Sequence, residues 1–472
     1  MRARVTTLLG LLVAVSAVSA QSVPTTLVIR GATVIAMTGA PPLSNATVVI
    51  RGDRIAAVGP SAVTPIPNGA RLLDGTGRYL LPGLIEMHAH VSKARASSLG
   101  LFVANGVTTV RDMGGDHDEL LGWRREIRAG RRIGPRLVIA GPYLESADNI
   151  ARMRKDPVHE RVEPFERLRI AVGSPDEARR IVRALAIKEL DFLKIRTVQD
   201  MATYRAINDA AEEQGLKVVG HVSQFSPEAV LEAGQDGADH FFAPDTLNPS
   251  REQRLQLWRR FAERGVPNVP TLVTLRAALA PLDRLKAVVD DLHGRVEPRR
   301  RYLSRFMVQD WKEQVLETSS ERQDLLRSLW DRVVRDTREM HEAGMEVLAG
   351  SDVAVLDVYP GWSLHDELGL FVDVLGMSPM EALERATRRP ARFLGAADAI
   401  GTIERGKIAD LLLLTHDPLN DIGNTRRIAG VVVAGVMHDR AALDRLLASV
   451  EVAPDRRRDN WGRYRSVPAP QR

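Results

Sequence analysis

Short apolar segments alternate with charged, helix-forming stretches along residues 79–397 of this 472-residue chain. This alternation is typical of βα units that build a parallel sheet. Eight such segments are present, and their predicted strands end near His90, Asp112, Gly141, Arg196, His221, Phe242, Thr274 and Asp352. Eight units favour a closed (β/α)8 TIM barrel, an α/β fold, over an open doubly wound sheet.

Two pairs of strand-like segments lie outside this region. The first pair is TLVIRGATVIAM and NATVVIRGDRIAAVG, and the second is ADLLLLT and RRIAGVVVAGVMH near the other end. Neither pair alone can bury both of its faces. We therefore predict one small β-sandwich built from residues 24–78 and 398–450, with the barrel of residues 79–397 inserted into it.

Residues 275–341 are rich in Arg, Glu, Asp and Leu and contain amphipathic helical patterns. The segment is longer than one barrel helix requires. Two interpretations stay open: an inserted helical segment that partly covers the mouth of the barrel, or solvated outer helices without a role in the site. The tail of residues 451–472 is rich in Pro and Arg and is expected to be flexible.

Residues 1–20 have the pattern of a secretory signal peptide. Arg2 and Arg4 precede an uncharged apolar stretch, and small residues stand before Gln21. Cysteine is absent, which excludes disulfides and thiolate metal ligands and fits export to a bacterial periplasm. The later sequence has no apolar run of the roughly 20 residues that a membrane span requires. Without residues 1–20, which include Arg2 and Arg4, the formal charge falls from +5 to +3, which does not indicate nucleic-acid binding.

The segment LLPGLIEMHAH carries the clearest chemical signal. His88 and His90 lie two positions apart in a predicted strand and so project from one face, where two imidazoles can bind one divalent ion. Four further candidates lie at or near the ends of other predicted strands: Lys194, His221, His240 and Asp352. Because barrel active sites are built at the C-terminal ends of the strands, these side chains are expected to converge.

In this order the motifs resemble the amidohydrolase superfamily, in its imidazolonepropionase-like and Xaa-Pro-dipeptidase-like branch. They are LLPGLIEMHAH, GVTTVRDMGG, DFLKI, VVGHV, GADH, VPTLVT, LAGSD, SPMEALERATRRPARFLG and GTIERGKIADLLLL. The resemblance implies two divalent metal ions, with zinc the expected metal and manganese or cobalt also suited. It places His88, His90 and Asp352 on one ion and His221 and His240 on the other. Lys194, carboxylated by carbon dioxide, would bridge the two.

An alternative is a single metal ion on His88, His90, His221 and Asp352, with Lys194 an ordinary lysine. In either case a zinc-like ion lowers the pKa of bound water towards roughly 7 and polarises a carbonyl group. In the two-metal form, the resemblance implies a hydroxide that bridges the ions. Asp352 would also relay a proton to the departing amine. The alternative for Asp352 is the cap of the following helix, since Ser351-Asp352 also resembles a helix start, but its place in LAGSD argues against this.

Three residues outside the ligand set are candidates for the substrate pocket. Tyr143, in GPYLES, could hydrogen-bond the oxyanion of the reaction or a carboxylate of the substrate. Trp362 and His365, in GWSLHDEL, either line the mouth of the barrel or pack the last barrel helix. Arg111 and Asp112 are interpreted as a structural pair beneath the site.

The sequence therefore predicts a metal-dependent hydrolase that cleaves a C–N amide or peptide bond of a dipeptide or N-acyl amino acid. One alternative is a hydrolase or deaminase of cyclic amides or amidines. Another is a metal-binding member of the fold without turnover, which the complete ligand set argues against. The expected partner is a small-molecule substrate, without nucleic acid or stable membrane insertion. Homo-oligomer formation is left open.

Overall fold

A computed structural model describes residues 26–155, 168–243, 249–316 and 320–451. The predicted signal peptide and all of the predicted tail except Glu451 lie outside the described residues. Among the described helices, none combines the length and the apolar composition that crossing a membrane requires.

The strands are, in chain order, β1 (Thr26–Val34), β2 (Leu43–Arg51), β3 (Arg54–Pro60), β4 (Arg71–Asp74), β5 (Tyr79–Pro82), β6 (Leu84–Ala89), β7 (Val107–Asp112), β8 (Arg136–Ile139), β9 (Tyr143–Ser146), β10 (Arg169–Val172), β11 (Leu193–Ile195), β12 (Val218–Val222), β13 (Gly237–Phe242), β14 (Asn268–Val269), β15 (Leu411–Leu414), β16 (Ile428–Val433) and β17 (Val436–Asp439). The α-helices are α1 (Val91–Ala94), α2 (Ser98–Ala104), α3 (His117–Arg128), α4 (Ala147–Arg154), α5 (Pro175–Ala186), α6 (Met201–Glu213), α7 (Pro227–Glu232), α8 (Arg251–Glu263), α9 (Leu272–Ala278), α10 (Leu282–Asp290), α11 (Arg305–Leu316), α12 (Ser320–Glu342), α13 (Trp362–Asp373), α14 (Pro379–Glu384), α15 (Arg388–Phe393) and α16 (Arg440–Val450).

Strands from both ends of the described chain form one sheet in the order β17-β16-β15-β5-β1-β2-β3, with β4 beside β1. The join is made by β5, which runs parallel to β1 and antiparallel to β15. Apolar side chains such as Ile29, Ile50 and Leu413 are buried in one core. The Ile55 amide donates to Lys407 O at 2.9 Å, so the edge strand β3 meets the segment before β15 and the sheet curls around this core.

The barrel strands belong to two parallel sheets, β6-β7-β8 and β10-β9-β11-β12-β13-β14. The third barrel strand connects them, since β8 pairs with β7 and, beyond a break at Gly141, β9 pairs with β11. The eighth position is filled by residues 345–353, which form backbone bridges rather than a regular strand. The Leu348 amide donates to Asn268 O at 2.9 Å on one side, and the Met87 amide donates to Ala349 O at 3.0 Å on the other. The predicted α/β barrel fold is confirmed by this architecture together with the structural relatives described below.

The predicted end of the seventh barrel strand is wrong. It was expected to end near Thr274, but β14 ends at Val269 and Thr274 lies in α9. The chain turns at Thr271, whose φ is 48°. Glu367 then accepts the first amide hydrogens of the helix, from Leu272 at 3.0 Å and Val273 at 2.7 Å. A carboxylate from a distant helix thus starts a helix where local residue preferences indicate a strand.

Helices α9, α10, α11 and α12 occupy most of the segment from Leu272 to Glu342. Trp311 of α11 is buried, and its indole nitrogen donates to Ala354 O at 3.1 Å. This contact holds α11 beside the loop that follows the eighth barrel segment. The helical segment therefore reaches the C-terminal end of the barrel, where the candidate ligands lie.

Candidate metal centre

The barrel brings the six predicted ligands to its C-terminal end. His88 is in β6 and His90 follows it, Lys194 is in β11, His221 in β12 and His240 in β13. Asp352 lies in the eighth segment, and its amide donates to His88 O at 2.7 Å. His88 and Lys194 are completely buried. The parallel strands therefore produce the convergence that their spacing predicts.

His88, His90 and Asp352 form the tightest group, with one ligand atom from each within 4.8 Å of the others. The Nε2 atoms of His88 and His90 lie 3.4 and 3.1 Å from Asp352 Oδ1. Their Nδ1 atoms face other partners: Asp239 Oδ1 at 3.3 Å for His88 and the Tyr143 hydroxyl at 2.9 Å for His90. Both Nε2 atoms are thus directed at one point, as ligands of a single ion require.

His221 and His240 lie on the other side of this group. Their rings meet nearly at right angles with centroids 4.9 Å apart, and the rings of His240 and His88 are 4.5 Å apart. His240 Nδ1 is 2.7 Å from Thr271 Oγ1 and 3.9 Å from Asp352 Oδ2. The two imidazoles therefore lie next to the first group, as a second ion would require.

Three residues of this region adopt a left-handed backbone that side chains disfavour. The φ angles are 64° for His240, 55° for Asp352 and 48° for Thr271. Such conformations cost about 1–3 kcal/mol each and concentrate at functional sites, where the surrounding structure imposes them. Here they turn two candidate ligands and the hydroxyl beside one of them towards a common centre.

Asp239 is a site residue that the sequence analysis missed. It is buried, and its Oδ2 accepts a hydrogen bond from Lys194 Nζ at 2.7 Å. Its Oδ1 accepts from Arg111 Nη2 at 3.1 Å and lies 3.3 Å from His88 Nδ1. Arg111 thus pairs with Asp239 and not with Asp112 as expected. The carboxylate of Asp112 instead accepts backbone amide hydrogens from Val91 at 2.7 Å and Gly114 at 3.1 Å.

Burial favours the neutral form of the His88, His221 and His240 imidazoles, which is the form that binds metals. It lowers the pKa of His88 to about 3, against the opposing charge of Asp239, and it also lowers the pKa values of His221 and His240. Burial lowers the pKa of Lys194 as well, with Asp239 opposing the shift.

The pKa of Asp352 is shifted in opposite directions by burial and by the neighbouring imidazoles. Burial would raise its pKa, but His88, His240 and His90 together lower it below the ordinary value of an aspartate. The ionised carboxylate is the form that can bind a cation or accept a proton.

Glu86 forms hydrogen bonds with two of the segments that carry candidate ligands. Its Oε1 accepts the amide hydrogens of His88 at 2.9 Å and Ser351 at 2.8 Å, and its Oε2 accepts from Ser351 Oγ at 2.7 Å. Burial raises the pKa of Glu86 to about 7, although these hydrogen bonds oppose the shift. One buried carboxyl group therefore fixes the register between His88 and the residue before Asp352.

A cavity of about 150 Å³ opens above the ligands. It is lined by His90, Lys93, Tyr143, Arg169, Arg196, His221, His240, Asp310, Gln314, Asp352, Ala354 and Val355. Tyr143 is thus placed where the sequence suggested, and α11 contributes Asp310 and Gln314. The lining is predominantly polar and charged, which suits a small polar substrate.

Trp362 and His365 do not belong to this lining. The ring nitrogens of His365 lie 2.9 Å from Thr425 Oγ1 and 2.9 Å from Asn105 O, and burial lowers its pKa to about 4. Trp362 stacks on Tyr302 with centroids 5.2 Å apart. Their contacts correspond to packing of α13, the alternative to a place at the mouth of the barrel.

The donor set fits a divalent cation. Both ring nitrogens of His88 are buried, yet within the described part of the chain neither has a hydrogen-bond partner of good geometry. Burying such atoms without a partner costs about 1–3 kcal/mol. Coordination of an ion by Nε2, with Nδ1 turned to Asp239, would remove most of this cost. Imidazole and carboxylate donors suit zinc and also manganese or cobalt.

Comparison with known proteins gives concordant results. Residues 79–437 match the model of the amidohydrolase family. The imidazolonepropionase of Porphyromonas gingivalis is 24% identical over 416 residues, 79% of this chain and 83% of that enzyme. A structure from Bifidobacterium longum, proposed to be a prolidase, is 27% identical with a TM-score of 0.66, over 91% of this chain and all of that one. The adenine deaminase of Rubrobacter xylanophilus is 38% identical over 72 residues, so the match spans 15% of this chain and only 12% of the deaminase.

Proposed function

The chain belongs to the amidohydrolase family, whose members hydrolyse carbon–nitrogen bonds, and from this premise we propose that it cleaves the amide bond of a dipeptide or an N-acyl amino acid. The observation that carries the proposal is the convergence of His88, His90 and Asp352 below a polar cavity. Their relation to a buried lysine and two further imidazoles supports a two-metal centre. Such a centre suits an unreactive amide, since neither water nor the carbonyl group is reactive enough at neutral pH without activation.

His88, His90 and Asp352 would hold one ion and His221 and His240 the other, with a carboxylated Lys194 between them. When bound, divalent ions of this kind increase the acidity of water and polarise the substrate carbonyl. The proposal extends to zinc as the metal and, on the pattern of residues 1–20, to export into the periplasm.

The chain's own groups would orient the ligands and move the proton. Asp352 lies 3.1 Å from His90 and lines the cavity, so its carboxylate can take a proton from the attacking water and deliver it to the departing nitrogen. That transfer matters because an amide anion is too basic to leave unprotonated. The hydroxyl of Tyr143 is 2.9 Å from His90 Nδ1 and would hold that ring in place. The same hydroxyl borders the space in which the substrate oxyanion would form.

The test is a panel of dipeptides and N-acyl amino acids assayed with the zinc-loaded full chain, beside the Asp352→Asn variant. Asparagine keeps an oxygen ligand of similar size but cannot accept the proton. We expect the variant to retain metal by elemental analysis while the rate falls by about 10² to 10⁴. Turnover near the parent rate with full metal content would contradict the assigned role of Asp352.

A second candidate follows from the local likeness to an adenine deaminase and from the longer one to an imidazolonepropionase. It is hydrolysis of a cyclic amide or deamination of an amidine. The same panel should include a cyclic amide and adenine, with ammonia release measured for the latter. If either is turned over faster than every dipeptide and acyl amino acid, this candidate replaces the first.

A further inference from the structure

Thr271 immediately precedes α9, but its side chain does not cap that helix. A threonine in this position usually accepts a hydrogen bond from an amide of the first helical turn. Within the described chain, Thr271 makes no such bond. The amides of Leu272 and Val273 instead donate to the two carboxylate oxygens of Glu367, at 3.0 and 2.7 Å. Glu367 lies in α13 and is completely buried, and it takes over the capping function from Thr271.

The hydroxyl group of Thr271 contacts a candidate metal ligand instead. Its Oγ1 lies 2.7 Å from Nδ1 of His240, and Thr271 is only 1% exposed. Thr271 makes this contact from a left-handed backbone with a φ of 48°, which a β-branched residue rarely adopts. A strained backbone at a buried position points to a role beyond packing.

The hydrogen bond decides which ring nitrogen of His240 can bind an ion. A neutral imidazole has one N–H group and one lone pair, and the partner of one nitrogen determines which of the two binds a metal. When Nδ1 donates its hydrogen to Thr271, the lone pair is on Nε2. The main chain of His240 is held as well, because the side-chain amide of Asn268 donates to His240 O at 3.2 Å. Residues 268–271 therefore fix both the ring and the backbone of His240.

We propose that Thr271 is a positioning residue for the metal centre. Its hydroxyl group orients His240 so that Nε2 binds an ion, and Glu367 keeps Thr271 in place by capping α9. This inference rests on the proposed function and adds to it two residues that are not themselves metal ligands. Hydrogen-bond partners of ligating histidines typically contribute about 10- to 100-fold to metal affinity or activity.

The first experiment measures zinc binding to the metal-free full chain by competition with a chelator, for the parent, Thr271→Val and Thr271→Ser. Valine is β-branched and has the shape of threonine, but it lacks the hydroxyl group. We expect Thr271→Val to bind at least one zinc ion about 10- to 100-fold more weakly. Serine keeps the hydroxyl group and should restore most of the affinity. A role in packing alone predicts the reverse order, because serine loses the methyl group that valine retains.

Thr425→Val is the matched control. Thr425 Oγ1 lies 2.9 Å from Nδ1 of His365, and both residues are buried, but His365 is not a candidate ligand. This variant should bind zinc as tightly as the parent. If Thr271→Val bound every ion as tightly as the parent, whether the parent holds one ion or two, the proposal would be wrong. Equal losses in Thr271→Val and Thr425→Val would also overturn it, since they would show a general effect of removing a buried hydroxyl group.

Glu367→Gln tests the second part of the proposal, in the parent and in the Thr271→Val background. Glutamine replaces one of the two accepting oxygens by an NH2 group, so the start of α9 is held less firmly. Zinc affinity should fall in the parent but little further in the Thr271→Val background, because Glu367 acts through Thr271. Equal fold-losses in the two backgrounds would overturn this part.

The threonine variants test the role of Thr271 whether or not Glu367→Gln folds. Zinc binding is measured without a substrate, so its outcome is separate from that of the hydrolysis panel. A chain that hydrolyses none of the panel, but loses zinc affinity through Thr271→Val and regains it through Thr271→Ser, would refute the proposed function and leave this inference standing.

Discussion

Replacing Asp239 by asparagine removes a negative charge that contacts both the candidate metal centre and buried cations of the barrel interior. In the parent, Asp239 faces Lys194, Arg111 and His88 at 2.7, 3.1 and 3.3 Å, and all four side chains are buried. Removing one partner of a buried ion pair costs about 3–5 kcal/mol. In the variant, Lys194 and Arg111 both lose the carboxylate that they share. We therefore expect the free energy of unfolding to fall within this range, by about 3–5 kcal/mol.

Urea-induced unfolding of the metal-free protein measures this loss, and a zinc titration measures the second effect. Without the carboxylate beside Nδ1, the ring of His88 is less firmly oriented, and zinc affinity should fall about 10- to 100-fold. Glu189→Gln is the control, since Glu189 also pairs with an arginine, Arg125 at 2.8 Å, but its side chain is 59% exposed. That variant should lose only about 0–1 kcal/mol. Equal stability and equal zinc affinity in the two variants would refute the role given to Asp239.

Two further outcomes follow from the same site. Lys194→Ala should lower zinc occupancy, measured by elemental analysis. Added acetate should partly restore the occupancy by taking the place of the carboxylated side chain. Full occupancy without acetate would contradict the bridging role. Tyr143→Phe keeps the ring against Arg169 but removes the hydroxyl beside His90, so zinc affinity should fall about 10-fold with little change in the midpoint of urea unfolding. An unchanged zinc affinity in this variant would show that His90 is oriented without Tyr143.

The convergence of the six candidate ligands could be predicted because it depends on rules that a sequence displays. His88 and His90 share a face through strand alternation, and the parallel βα units bring the ends of distant strands together. The strand ends were placed correctly where a long apolar run precedes the polar residue, as in β6 and β12. Such local patterns survive in the folded barrel because these strands are buried on both faces.

Asp239 could not be found in this way. It is adjacent to His240 in β13, and strand alternation assigns neighbours to opposite faces. The left-handed backbone at His240, with a φ of 64°, breaks the alternation and lets both residues face the ligand cluster. In that conformation His240 contacts Thr271 and Asp352, which lie far from it in the chain. His365 illustrates the same limit, since its partners Thr425 and Asn105 are 60 and 260 residues away.

The residues that fix the geometry of this candidate centre are therefore different from those that identify it in the sequence. His88 and Asp352 are recognisable from their motifs, but their relative position depends on Glu86, which binds the His88 amide and both donors of Ser351. The orientation of His88 depends in turn on Asp239. If the centre binds metal as proposed, a chain could keep all six predicted ligands and still lose the metal through a change at Glu86 or Asp239. Activity in related sequences should thus be judged on these two carboxylates together with the ligands, because burial makes each of them costly to retain without a partner.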